Sequence, residues 1–408
     1  MNWKDFGFSD FLTKTLLKSP PPPSEQQIAS GSIKTQHLYG GAVTNEKINI
    51  SSRSYQAIVS TTIGDGNYRD IQQAINYVHN EIGYGNIFVR SGTYTPDADV
   101  ILYSNIELEG ESKENTIIDF EGGAFELQIK GTRNGAPTGT ISIAQNSKTV
   151  TGVTTAFLSE VSEGNYLYFN NVAYKVGSVT NNTTLTLINT YRGTAVSGLA
   201  TWNIWDAIEG VRVSKIQVYD NSVGNNGVAM YAAVNCEIES IITREAGTDG
   251  VDCSWCFNCR VKSCTSSDNG YAGFDFGAFK AGMIQDLSAF GNTWHGINLS
   301  GVGSLQATIV GCEAYHNQSR GFNLNSCHSY SILGCSSYEN QDDGFYFISS
   351  DYIKIQACEI RDNGGWGLDI SNAACDRNTI TGNDIINNTS GNIQNNGMNT
   401  IDANNQKA

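Results

Sequence analysis

The sequence predicts an all-β protein built mainly as a parallel β-helix, and three observations carry that prediction. The composition is low in charge, at 16% Asp, Glu, Lys and Arg, yet holds 43 Gly, 19 Tyr and 16 Phe. Chains rich in β-formers and turn residues fold as sheets. Second, Gly-φ-x-φ segments recur at Gly250, Gly273, Gly296, Gly321, Gly344 and Gly367, with spacings of 23, 23, 25, 23 and 23. Third, Asn269, Asn292, Asn317, Asn340, Asn363 and Asn388 keep step, spaced 23, 25, 23, 23 and 25.

Such a period has a physical meaning. Each unit holds short alternating segments between polar turns, without helical periodicity. Units of this length suit coils stacked at the strand spacing of about 4.8 Å, with apolar residues forming interior columns. A repeated Asn at one turn predicts an amide ladder between coils. Cys264, Leu287, Cys312, Cys335, Cys358 and Asn383, each five residues before a ladder Asn, form a predicted interior column. A leucine-rich repeat is the competing period, and its Leu-dense consensus is absent.

Taking the elements in order, residues 1–18 carry scattered charges and no continuous apolar core, so no secretory signal peptide is expected. No apolar run reaches the ~20 residues of a membrane span. Trp3, Phe6, Phe8, Phe11, Leu12, Leu16 and Leu17 make this segment amphipathic, as in a docking peptide. "SPPPPSEQQ" at 19–27 is a stiff polyproline linker, so 1–29 is read as docking peptide plus linker. Residues 60–136 are expected to cap the helix and form its first coils. There Ile71, Ala74, Ile75 and Val78 mark one face of a short helix, with Asp70 at its start. Ile87-Phe88-Val89 and a Gly-Thr-Tyr segment follow as strands. The D-G turn, the I-Q-x-A-I helix and the G-x-Y strand resemble the opening of the pectate-lyase-like superfamily. That resemblance implies a right-handed β-helix over roughly 60–130 and 206–395.

Residues 137–205 break the repeat. They show antiparallel strand alternation and turn signals at Asn146-Ser147, Asn170-Asn171 and Asn181-Asn182, which predict a small inserted β-domain. Its S-K-T-V-T-G-V-x-T-x-F, G-x-Y-L and T-x-L-T-L signatures are similar to a module of bacteriophage tail-fibre and tailspike proteins. "SGSIKTQHLYGGAVTNEKINISS" at 30–52 resembles another tail-protein segment, G-x-I-x-T-x-x-I-x-x-G-A-V-T-x-x-K-I, with Leu38 at its second Ile. The 30–59 stretch is therefore read as an attachment segment, 206–395 as the coils and 396–408 as a C-terminal tail. The resemblance implies a homotrimer joined to a baseplate or tail protein through its N-terminus, assembled in a host cytoplasm.

Cys253, Cys256, Cys259 and Cys264 have the C-x2-C-x2-C-x4-C spacing of a cluster-ligand run. The repeat favours packing instead, because Cys253 shares its coil position with Phe276 and Leu299. No metal or other cofactor is expected, and no disulfide in a reducing cytoplasm.

The repeat also nominates a site. In Gly-φ-x-φ the x residue is expected to face solvent. That column reads Asp252, Asp275, Asn298, Asn323, Tyr346, Asp369. The two residues before each Gly add Asp249, His295, Arg320, Asp343 and Trp366, and then Tyr271 and Trp294. Carboxylates with aromatics suit a carbohydrate groove, although Asp342-Asp343 also fits a turn and any solvated scaffold face is polar. Asp252 and Asp275, on adjacent coils about 5 Å apart, approach the roughly 5–5.5 Å of retaining glycosidases. Crowding would protonate one of the carboxylates as a general acid. "GTDGVD" (247–252) and "WHGI" (294–297) are similar to the N-T-D-G and G-H-G motifs of polygalacturonase-type hydrolases. That resemblance implies catalytic Asp249 and His295, beside the Asp252 and Asp275 nominated by the column, but Ala272-Gly273 stands where the family has paired aspartates and Asp275 is the nearby substitute.

Lys plus Arg total 25 against 40 Asp plus Glu, a net charge of −15. This argues against nucleic acid and anionic membrane surfaces as partners, since both need a basic patch. Three functions remain: a virion tailspike that recognises and depolymerises a host surface polysaccharide, a non-catalytic tail or adhesive protein of the same fold, and a free polysaccharide lyase or hydrolase.

Overall fold

Each repeat forms one coil of three short strands, and corresponding strands of successive coils pair in parallel. The structure is a computed structural model that describes residues 54–220 and 224–406. The docking peptide, the polyproline tract and most of the 30–59 segment lie outside the described residues. Stacking produces three parallel sheets of 12, 10 and 10 strands. Register is direct: Phe274 pairs with Ile297, Ile297 with Phe322, and Phe322 with Phe345. The chain is thus a parallel β-helix, right-handed as the superfamily resemblance implies.

The interior is continuous from Ala57 to Ile385. Stacked Phe322 and Phe345, 4.3 Å apart with rings 2° from coplanar, show how identical positions pack. The predicted column is interior: Cys264, Leu287, Cys312, Cys335 and Cys358 are all at most 2% exposed. All ten cysteines are buried free thiols, and burial pushes the Cys264 thiol up to about 12.

The Asn ladder is complete. Each side-chain amide donates to the next Asn carbonyl oxygen, from Asn269 to Asn292 at 2.7 Å through Asn363 to Asn388 at 2.9 Å. The same oxygens accept backbone N–H groups, so turn donors that would otherwise be buried unpaired are satisfied. The Gly and Asn series prove to be one device. A Cβ at Gly273, Gly321 or Gly344 would stand 2.8 Å from the amide nitrogen of Asn292, Asn340 or Asn363. The Asn side chain fills the space the glycine leaves.

The N-terminus is plugged by the helix Ile71–Tyr77, capped by Asp70, which accepts from the Gln73 N–H at 2.7 Å. Ile71, Ala74 and Ile75 are buried, and a π-helical turn, Val78–Ile82, follows and buries Val78. Among the described residues no helix is long and apolar enough to cross a membrane.

An eight-stranded antiparallel sheet runs from Thr132–Arg133 to Asn203–Asp206. Its hairpin at Asn170-Asn171 has both residues at positive φ, 49° and 62°, as a tight two-residue turn requires. It loops out between adjacent coils without disturbing them, since Leu127–Lys130 pairs directly with Val228–Tyr231. The sheet has its own core around Phe157, Phe169 and Trp202. It is pinned to the β-helix where Tyr168 stacks on Trp205 at 4.7 Å and receives the ammonium of buried Lys280.

Candidate functional site

The nominated residues lie along the third parallel sheet, whose strands run from Val100–Ile101 to Gly391–Asn395. The x residues form one column across it: Asp252 pairs with Asp275, Asp275 with Asn298, Asn298 with Asn323, Asn323 with Tyr346, and Tyr346 with Asp369. Their backbones alternate as expected, but they are not the solvent-facing residues the pattern suggested. Asn298, Asn323 and Asp369 are 4%, 6% and 8% exposed, and Asp252 and Asp275 are half-buried. Stacking at the coil spacing lets each side chain cover the next.

At the N-terminal end three carboxylates crowd together. Asp249, 8% exposed, accepts the Ala272 N–H at 2.9 Å. Burial, then the neighbouring Asp275 and Asp252, push its pKa up to about 8. Burial and Asp252 push Asp275 to about 7. Burial raises Asp252 as well, opposed by the Ser254 hydroxyl, which donates at 2.7 Å. Asp249 and Asp275 therefore hold protons into the neutral range.

Asp275 also receives a directed chain of donors. The Arg320 guanidinium donates to Asn323 at 3.2 Å, the Asn323 amide to Asn298 at 2.7 Å, and the Asn298 amide to Asp275 at 2.9 Å. Every bond points toward Asp275 and favours its ionised form.

The aromatics rearrange the expected roles. Trp294 lies between Tyr271, 4.0 Å away, and His295, 3.7 Å away. Both its faces are covered, so it does not offer the stacking platform expected of it. Tyr271 does: it is 41% exposed and follows Thr248 of the preceding coil, above Asp249. His295 is corrected too. It is 1% exposed, and burial, with Arg320 nearby, lowers its pKa to about 3. A neutral imidazole that accepts the Arg320 N–H at Nδ1 is no acid at working pH. Its Nε2 has no hydrogen-bond partner.

A second cluster lies toward the C-terminal end. Arg320 sits 3.4 Å over the Tyr346 ring and 3.5 Å from both Asp342 and Asp343. Asp343 is 5% exposed and accepts the Trp366 N–H at 2.8 Å, holding the half-buried Trp366. Burial and Asp343 raise Asp369 to about 6, and its Oδ1 has no partner.

The repeat series began one coil too late. Gly227-Val228-Ala229-Met230 is a further member, 23 residues before Gly250. It brings Asn226, which accepts from the Thr248 hydroxyl at 2.6 Å and the Asp249 N–H at 3.2 Å. The coil before the insertion adds Glu126, whose charge raises Asp252, and Lys130, which lowers it. Among the described residues no group of three or more His, Cys, Asp or Glu side chains is arranged so that it could hold a metal ion.

Fold and site together define a right-handed β-helix with carboxylates clustered along its third sheet. A family model described as the right handed beta helix region matches residues 281–407. No curated protein sequence matches the chain. Among solved structures, the chain is similar to the A-modules of two Azotobacter vinelandii mannuronan C-5 epimerases. AlgE4 aligns at 16% identity with a TM-score of 0.53, covering 79% of this chain and 75% of that one. AlgE6 aligns at 18% with 0.52, covering 79% and 74%. The tailspike protein gp49 of Pseudomonas phage LKA1 aligns at 14% with 0.49, covering 81% and 74%. At these identities the likeness is one of fold.

Proposed function

We propose that the chain is a virion tail protein of the tailspike or receptor-binding type, whose third-sheet groove binds a host surface polysaccharide and hydrolyses it. The observation that carries the catalytic reading is the crowd of Asp249, Asp252 and Asp275 on adjacent coils beside the exposed Tyr271. Asp249, protonated at neutral pH, donates its proton to the leaving glycosidic oxygen as the bond to the anomeric carbon breaks. Asp275, fed by the amide chain, ionises and serves as nucleophile or as base for the attacking water. Tyr271 stacks on the sugar ring, while Arg320, Asp343, Trp366 and Asp369 hold the chain further along. Trp294 and His295 position these groups and do not react.

The virion assignment rests on the tail-protein resemblances of 30–52 and 137–205, and carries with it a homotrimer attached through residues 1–29. One observation favours a non-catalytic adhesin of the same fold. Asp249 spends one oxygen on the turn at Ala272, and Ala272-Gly273 replaces the paired aspartates of the polygalacturonase motif. The test is a screen of the full chain against purified host capsules and lipopolysaccharides. New reducing ends without ultraviolet absorbance mean hydrolysis, while absorbance from unsaturated products means elimination and refutes these roles. Binding without shortening leaves the adhesin, and no binding to any authentic host polysaccharide ends both readings.

A further inference from the structure

We infer that the groove selects an uncharged glycan, one whose repeat carries no carboxylate, sulfate or phosphate. This rests on the polysaccharide reading above and names its substrate class. The groove holds Asp249, Asp252 and Asp275 at one end and Asp343 and Asp369 at the other. Its cations are already engaged. Lys130 is ion-paired with Glu126. Arg320 is shared among Asp342, Asp343 and Asn323 and lies flat on the Tyr346 ring. One amide N–H of Asn298 is likewise committed to Asp275, and one of Asn323 to the Asn298 oxygen. An anionic sugar would bring its charge into a half-buried row of carboxylates with no free cation among the described residues to meet it, which like-charge repulsion and desolvation both oppose.

One unpartnered atom points the same way. Asp369 Oδ1 has no hydrogen-bond partner, on a side chain only 8% exposed. A sugar hydroxyl can donate to it. An ionised acid group can only accept. The retention of protons by Asp249 and Asp275 into the neutral range has the same electrostatic origin: the groove already resists the charge it has.

The experiment is affinity electrophoresis of the full chain through gels containing host surface polysaccharides. The panel pairs neutral polymers with acidic ones, and each uronate-containing polymer with its carboxyl-reduced form, in which the uronates have become neutral hexoses. Binding confined to neutral or carboxyl-reduced polymers, and retained in about 1 M salt, where the screening length is about 3 Å, is the expected result. For a polymer recognised only after reduction, affinity should rise by roughly tenfold or more over its acidic parent. An acidic polymer that binds and is lost on carboxyl reduction overturns the inference while leaving the polysaccharide reading standing. A panel in which nothing binds overturns both.

Discussion

Asp249 concentrates the chemistry of the groove. Its proton is held by burial and by Asp275, so Asp249→Asn removes the acid while preserving the acceptor for the Ala272 N–H. Hydrolysis should fall by about 10²–10⁴-fold, with the circular dichroism spectrum and oligomeric state unchanged. Loss of folding together with activity would show that the residue only closes its turn. The same burial makes a stability prediction. Asp249 and Asp275 rise from an ordinary value of 3.8 to about 8 and about 7, so the folded state binds more protons than the unfolded chain between those limits. Their contribution is therefore present at low pH and lost as pH climbs from about 4 to about 8. The melting temperature should fall over that window, and the slope should be shallower in Asp249→Asn. A wild-type melting temperature that rises across it would contradict the buried, protonated pair.

The ladder and the glycine column form the repeating element, and their coupling can be measured. Asn317 accepts two bonds from Asn292 and donates to Asn340 and to the Ala289 carbonyl. Asn317→Ala leaves buried groups unpaired at about 1–3 kcal/mol each. Gly296→Ala places a Cβ 2.7 Å from the Asn317 amide and 2.9 Å from the Gly321 carbonyl oxygen. Denaturant melts of both single variants and the double should give a combined loss smaller than the sum, because the alanine methyl no longer meets the amide. Additive losses would mean that the two series are independent marks of the coil. The ladder was readable in the sequence because stacking enforces one period on every position. The sandwich of Trp294 between Tyr271 and His295 was not, since the pattern places those residues side by side without saying which ring covers which.

Across the whole molecule, the insertion decides which residues reach the groove. Glu126 and Lys130 are separated from Asp252 by more than a hundred residues of sequence, yet they act on it, because the chain loops out through the antiparallel sheet and re-enters in register. Replacing residues 137–201 by a short glycine-rich link should leave the β-helix folded, since the Leu127–Lys130 and Val228–Tyr231 strands pair without the insertion. It should lower the melting temperature, because Lys280 loses its partner Tyr168. Complete loss of β-signal would instead make the insertion part of the folding core. The proposed trimer is checked by light scattering on chains with and without residues 1–29. Trimers in both, with attachment lost in the shorter, are expected, and monomers at micromolar concentration count against it.

The linear order of residues was enough for the coil, the capping helix, the inserted sheet and the column on which the candidate site lies. Each follows from local periodicity or turn chemistry, which recurs from one unit to the next. The protonation of Asp249, the sealing of His295 and the amide chain from Arg320 to Asp275 depend on contacts between coils. A residue's neighbour there lies 23 or 25 positions away, and side-chain packing sets its burial. Periodicity shows which residues share a column. Only the packed coils show which of them are buried, which are paired, and which carry a proton at neutral pH.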